Sequence, residues 1–221
     1  MSTALDTAEF VIRTVAQTAV ENEKYFGDLD SVVGDGDFGY SLARGFEQVL
    51  EHWDEFDRDD AGVFTVKVAM TISSRIGGTS GPIWGTAFMR AGGGLRGKPQ
   101  PTVDEVIAAL RAGIDGIKKR GNSDVGDKTL IDALVPAVDA LEQSLLAGDD
   151  AATAVDRMAV AARTAADATS SMQAMRGRAS YTGERSIGSP DAGAVAVAVL
   201  AERLAQTWND QTWNDQTRND H

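Results

Sequence analysis

The sequence predicts an all-α protein, an antiparallel up-and-down barrel or bundle of about eight helices. Three observations carry that expectation. Apolar residues recur at helical spacing through the long stretches, strand-like alternation is scarce, and glycines collect with small polar residues in short segments between the stretches.

The first helix is expected from about Leu5, with Ile12, Val15, Ala19 and Val20 on its apolar stripe, to near Gly27. A second spans Tyr40 to Trp53 with Leu42, Phe46, Val49 and Leu50 on one face. From Gly62 to Ile76, Phe64, Val66 and Val68 alternate like a strand, but Val68, Ala69, Ile72 and Ile76 continue at helical spacing, so a third helix is expected. The fourth runs from Thr79 to Ala91 with Pro82 in its first turn, where a missing N–H costs little. Thr102 and Glu105 read as a capping box for a fifth, ending near Arg120. The sixth is expected from Asp127 or Lys128 to Ala147, kinked at Pro136 unless packing compensates. An alanine-rich seventh spans Ala151 to about Met175, its small residues suited to close packing in the barrel or against a second copy in a homodimer. Asp191 caps the eighth, through Leu204. Three tandem pentamers from Gln206 then lack an apolar stripe. Residues 1–205 are therefore expected to form the domain and 206–221 a repetitive, disordered tail.

Composition excludes several chemistries. The 221 residues contain no cysteine and only His52 and His221, which rules out thiolate sites and leaves little room for a histidine metal centre or a Ser-His-Asp triad. A net charge of −12 argues against nucleic acid or an anionic membrane as partner, while leaving open an anion that arrives with a metal ion. The first residues show no basic leader and no apolar run is long enough to span a bilayer, so a cytoplasmic protein is expected.

In an up-and-down array alternate junctions fall at the same end. Junctions 1–2, 3–4, 5–6 and 7–8 hold Asp30–Gly39, Gly77–Gly81, Gly121–Asp127 and Gly177–Gly193, whereas the cluster Gly92–Gly97 falls at the other end. One end is thus expected to carry a site built from four loops. Gly34-Asp-Gly36-Asp-Phe-Gly39 matches a dinucleotide fingerprint in letters only, since no strand precedes it and two aspartates would repel a bare pyrophosphate. Asp30, Asp35 and Asp37 instead suit a hard cation such as Mg²⁺, or a merely solvated acidic turn. Gly121 to Thr129 nearly spells a phosphate loop, but Asp127 intrudes before Lys128. Gly77-Gly-Thr-Ser-Gly81 and Asp191-Ala-Gly193 open helices whose free N–H groups can hold phosphate, and Arg178 can neutralise one. An acidic loop facing phosphate-type helix starts points to a Mg–nucleotide site.

Together these segments resemble the L subunit (DhaL) family of dihydroxyacetone kinases. The resemblance rests on Gly34–Gly39 with Arg44-Gly45, Gly77–Pro82, Gly126–Thr129 with Asp132-Ala133, and above all Gly177-Arg-Ala-Ser-Tyr-Thr-Gly-Glu-Arg-Ser-Ile-Gly188 followed by Asp191. It implies an eight-helix barrel holding ADP or ATP at one end through two Mg²⁺ ions. Asp30, Asp35 and Asp37 would bind the metals; Phe38, Gly39, Tyr40, Ser41, Thr79 and Ser80 would contact the phosphates; Gly121, Leu130, Arg178, Asp191, Ala192 and Gly193 would line the rest of the pocket. Phe38 stands where the family often has threonine or histidine, and so offers a backbone N–H without a side-chain hydrogen bond. The resemblance further implies a ketose-binding K subunit, which nothing in these 221 residues could supply; a free-standing L subunit would resemble a phosphoenolpyruvate-dependent system with a phosphohistidine M subunit. An ATP-dependent two-component kinase for another short ketose such as erythrulose, and a nucleotide-binding regulator of a transcription factor, are the alternatives.

Overall fold

The computed structural model describes residues 3–78 and 80–219, with side chains through residue 210. Among the described residues it is helical throughout, in nine α-helices: α1 (Ala4–Glu21), α2 (Glu23–Asp30), α3 (Phe38–Glu51), α4 (Ala61–Arg75), α5 (Ser80–Leu95), α6 (Val103–Gly121), α7 (Leu130–Leu146), α8 (Ala151–Ala168) and α9 (Ala192–Asn219). Each packs on its successor from α3 to α9, and α1 lies against both α3 and α9, which closes the ring.

The core is filled from this ring by Phe26, Leu42, Phe46, Phe64 and Ile72, all fully buried. Aromatic edges interlock there, with Trp53 against Phe64 at 5.2 Å and Phe46 against Phe88 at 6.2 Å. The small face of α8 (Ala159, Ala162, Ala166) turns into the same core beside Ala194 and Ala198 of α9. Alanine at these positions lets the two backbones approach closely.

Several boundaries differ from the sequence expectation. The helix expected to end at Ala91 runs on to Leu95 and takes Gly92, Gly93 and Gly94 into its last turn. The first helix breaks at Asn22, whose backbone leaves the helical region (φ −103°, ψ 15°) while its side chain donates back to the Thr18 carbonyl at 2.8 Å. The helix expected from Asp127 or Lys128 starts at Leu130, because Lys128 takes a left-handed conformation (φ 60°) and Thr129 supplies the cap, reciprocated by Asp132. The helix expected to reach Met175 ends at Ala168, where residues 169–171 tighten into a 3-10 turn and Met172 turns extended (φ −92°, ψ 151°). By contrast α7 runs on through Pro136, and the Thr102–Glu105 capping box forms as expected.

The boundary expected between residues 205 and 206 lies inside α9. Residues 206–210, expected to open the tail, continue that helix, and Trp208 meets the edge of Phe10 at 5.7 Å. The later pentamers lie outside the residues whose side chains are described. Among the described residues no helix is long and apolar enough to cross a membrane.

Candidate functional site

The four glycine-bearing junctions do meet at one end. A cavity of about 550 Å³ opens there, lined from the first loop by Asp35, from the second by Gly77 and Gly78, from the third by Gly121 and Ser123, and from the fourth by Arg178. Because the helices alternate in direction, α3, α5, α7 and α9 all begin at this end, and Phe38, Ser80, Leu130 and Ala192 from their first turns line the cavity. Four helix N-termini therefore bring partial positive charge to one space, a setting that favours an anion, although Thr129 at α7 and Asp191 at α9 each already accept from a first-turn N–H.

The acidic loop stands on the rim. One carboxylate oxygen each from Asp30, Asp35 and Asp37 lie within 4.8 Å of one another. Asp30 is tied into its own loop, accepting from the Gly36 N–H at 2.9 Å and the Phe38 N–H at 3.4 Å. Asp37, although it occupies the residue position before α3, makes no side-chain cap. Its carboxylate instead meets the Arg178 guanidinium at 3.0 Å, and Arg178 also pairs with Asp35. An all-carboxylate oxygen set this close fits a hard divalent cation.

Arg178 sits on a segment, residues 172–189, whose ends are fixed by one side chain that sequence reasoning left without a role. Lys128 is buried, and its ammonium donates to the carbonyls of Met172 (3.1 Å), Ser186 and Ser189 (2.7 Å). Its resemblance to a phosphate-loop lysine concealed this, because the carbonyls it satisfies lie more than forty residues further along the chain. Burial pushes the Lys128 ammonium below its ordinary pKa, against the pull of Asp191. Beside it, buried Asp132 accepts from the N–H groups of Gly126 (2.6 Å) and Thr129 (2.7 Å). Asp191 caps α9 by accepting from Ala194 at 2.7 Å; burial, with Asp132 nearby, pushes its pKa up to about 7.

Of the residues singled out from sequence, Asp30, Asp35, Asp37, Phe38, Ser80, Gly121, Leu130, Arg178, Asp191, Ala192 and Gly193 line the cavity. Thr79 lies outside the described residues. Gly39 and Tyr40 are elsewhere. A Cβ on Gly39 would fall 2.0 Å from the Glu23 carbonyl oxygen, so this glycine serves the close crossing of α3 over α2. Tyr40 is exposed and lies under Arg44, whose guanidinium carbon is 5.3 Å from the ring. Ser41 is not a lining residue but lies beside the second loop, its hydroxyl 3.8 Å from where a Cβ on Gly77 would stand. Ile83 and Ile117 add an apolar wall that motif reading did not single out, since nothing distinguishes them from other core isoleucines in a periodic pattern.

A closed ring of antiparallel helices with one acidic, glycine-rich end, where four helix N-termini converge, defines a small-ligand-binding helical domain. Residues 32–206 match the DAK2 domain, and the chain belongs to that family. It is 39% identical over 182 residues to the ADP-binding subunit DhaL of the PEP-dependent dihydroxyacetone kinase of Escherichia coli K12, covering 82% of this chain and 87% of that one. It is 37% identical over 189 residues to the corresponding subunit of kinase 1 of Listeria innocua, covering 85% and 88%. The L-erythrulose 1-kinase of Mycolicibacterium smegmatis is also 37% identical, over 200 residues, but this chain spans 34% of its length. Among solved structures, the dihydroxyacetone kinase of C. freundii in complex with AMP-PNP and Mg²⁺ superposes with a TM-score of 0.73 at 25% identity, covering 91% of this chain and 34% of that one.

Proposed function

We propose that the chain is the nucleotide-binding, phosphoryl-transferring subunit of a dihydroxyacetone kinase, working in the cytoplasm with ADP or ATP held through two Mg²⁺ ions. The observation that carries this reading is the meeting, in one cavity, of four helix N-termini with a three-carboxylate rim. The helix starts suit phosphate oxygens. The apolar wall at Ile83 and Ile117 suits the flat face of a base. Asp30, Asp35 and Asp37 would hold the magnesium, which would supply positive charge to offset that of the phosphoryl group during transfer. The chain's own residues orient the nucleotide: Ser80, Leu130 and Ala192 present their helix starts, and Arg178 brings a fork suited to a phosphate.

The ketose would sit on a separate K subunit, and phosphoenolpyruvate would be the ultimate donor through a phosphohistidine M subunit. Two relatives that this chain matches nearly end to end are named as ADP-binding subunits of PEP-dependent kinases, which supports this arrangement. The experiment is native mass spectrometry of freshly purified protein in magnesium, with acid release and identification of bound nucleotide. Near-stoichiometric ADP that survives dialysis is expected. A pocket that exchanges ATP freely would favour a second reading, an ATP-dependent kinase of a short ketose such as erythrulose, which the 37% identity to the L-erythrulose 1-kinase supports. No nucleotide under any condition overturns both.

A further inference from the structure

The contact between Arg178 and the acidic loop has a consequence for the order in which the site fills. Three carboxylates within 4.8 Å of one another repel strongly unless a cation lies among them. Asp30 is partly relieved by the Gly36 and Phe38 N–H groups. For Asp35 and Asp37 the cation at hand is the Arg178 guanidinium, and it engages Oδ2 of both. One of these, Asp37, is also free of the capping duty its position offers.

Arg178 reaches this place because of how its segment is held. Lys128 grips the segment's two ends through the carbonyls of Met172, Ser186 and Ser189, and Arg176 pairs with Asp127 at 3.1 Å. The stretch between is bounded by left-handed glycines, Gly177 (φ 64°) and Gly188 (φ 103°), with a third, Gly183 (φ 59°), inside it. Arg178 itself is half exposed, and its ion pairs are with the acidic loop alone among the described residues. Anchored feet and a charged contact near the tip leave the guanidinium able to exchange partners without unfolding anything.

We propose that Arg178 is a built-in counter-cation of the metal loop, so that a divalent ion and Arg178 compete for Asp35 and Asp37. This rests on the metal reading given above. A phosphate arriving in the adjoining cavity draws Arg178 off the carboxylates, and the metal then enters. Metal and phosphate binding are thereby coupled positively, and by linkage each raises the affinity for the other by the same factor. The loop stays closed to free divalent ions and opens to a nucleotide that brings its own phosphate.

The test is Mn²⁺ titration followed by electron paramagnetic resonance, without and with ADP, on the wild type, Arg178→Gln and Asp35→Asn, each checked for folding by circular dichroism. Without nucleotide, Arg178→Gln should bind Mn²⁺ at least about fivefold more tightly than the wild type, and ADP should enhance its Mn²⁺ affinity less. Equal or weaker Mn²⁺ binding by Arg178→Gln, with ADP-dependent binding still present in the wild type and lost in Asp35→Asn, overturns this inference and leaves the metal reading standing. Mn²⁺ binding unaffected by Asp35→Asn, or absent from the wild type even with ADP, overturns both.

Discussion

The two ends of the barrel treat their charged residues in opposite ways. At the far end, where α1, α4, α6 and α8 begin, every helix has a side-chain cap: Thr3, Asp60, Thr102 and Asp150 each accept from a backbone N–H of the first turn. Backbone donors there hold carboxylates below their ordinary pKa; Gly97 and Val63 do so for Asp60, and Thr153 for Asp150. At the cavity end Thr129 and Asp191 cap α7 and α9, but Asp37 before α3 caps nothing, three carboxylates crowd together, and Asp191 is pushed up to about 7. Left-handed residues follow the same division, with Gly36, Gly78, Asn122, Gly126, Lys128 and Gly177 at the cavity end against Gly97 and Gly148 at the other. One end is arranged for stability. The other keeps groups in unfavourable surroundings, which is where proteins store the capacity to bind.

The largest departure from that division should come from Lys128, which belongs to the cavity end yet is structural. Lys128→Met keeps the volume and the backbone strain but leaves three carbonyls without their donor. Unfolding free energy, read by urea denaturation, should fall by about 3 kcal/mol. A loss under about 1 kcal/mol would mean that water takes over the three carbonyls and that the segment is held elsewhere.

Lys128 also marks where the sequence stops being readable. Helix count and parity suffice to bring the four junctions together, because that follows from alternation alone. The partners of Lys128 lie across the fold, and no local pattern announces them. The break at Asn22 is equally silent, since the apolar stripe continues across it while a single side chain bonds backward to Thr18. Gly39 shows the converse. Its place in a motif suggests a ligand contact, whereas the backbone of α2 at Glu23 leaves no room for any other residue. Phe38, a departure from the family pattern, lines the cavity and lies tilted against Phe26 with ring centres 6.2 Å apart, so its bulk is accommodated by the core.

Asp35→Asn should separate binding from stability. Its carboxylate is half exposed, so the melting transition should move little, within about 0.5 kcal/mol. Affinity for Mg–ADP by calorimetry should drop about 100-fold, the scale of one lost charged contact of nearly 3 kcal/mol. Unchanged affinity would remove the acidic loop from the site.

The raised pKa of Asp191 gives the cavity end a pH signature. Folded, this carboxyl keeps its proton up to about 7, whereas an unfolded chain releases it near 3.8. Between those values the folded state binds more protons, so the contribution of Asp191 to stability is full below the lower value and is lost as pH rises through the upper one. Nucleotide-free protein should therefore show Asp191 favouring the fold less and less from pH 4 to 7. Asp191→Asn, which preserves the cap to Ala194, should remove that slope when melting temperatures are compared across the window. Parallel profiles for the two proteins would show that Asp191 is hydrated and ordinary.

The smallest effects test the division between the ends most directly, through two aspartates at equivalent helix starts. Asp150 caps α8 by accepting from the Thr153 N–H at 2.7 Å; Asp37 precedes α3 and accepts from no N–H of its first turn. Asp150→Ala should cost about 1 kcal/mol, the usual value of a lost cap, and leave nucleotide binding unchanged. Asp37→Ala should cost almost nothing in stability, because among the described residues its carboxylate gives up only the exposed Arg178, and should weaken binding of Mg–ADP instead. Equal destabilisation by both substitutions would mean that Asp37 is a cap after all, and that the start of α3 does not forgo its cap in favour of a ligand.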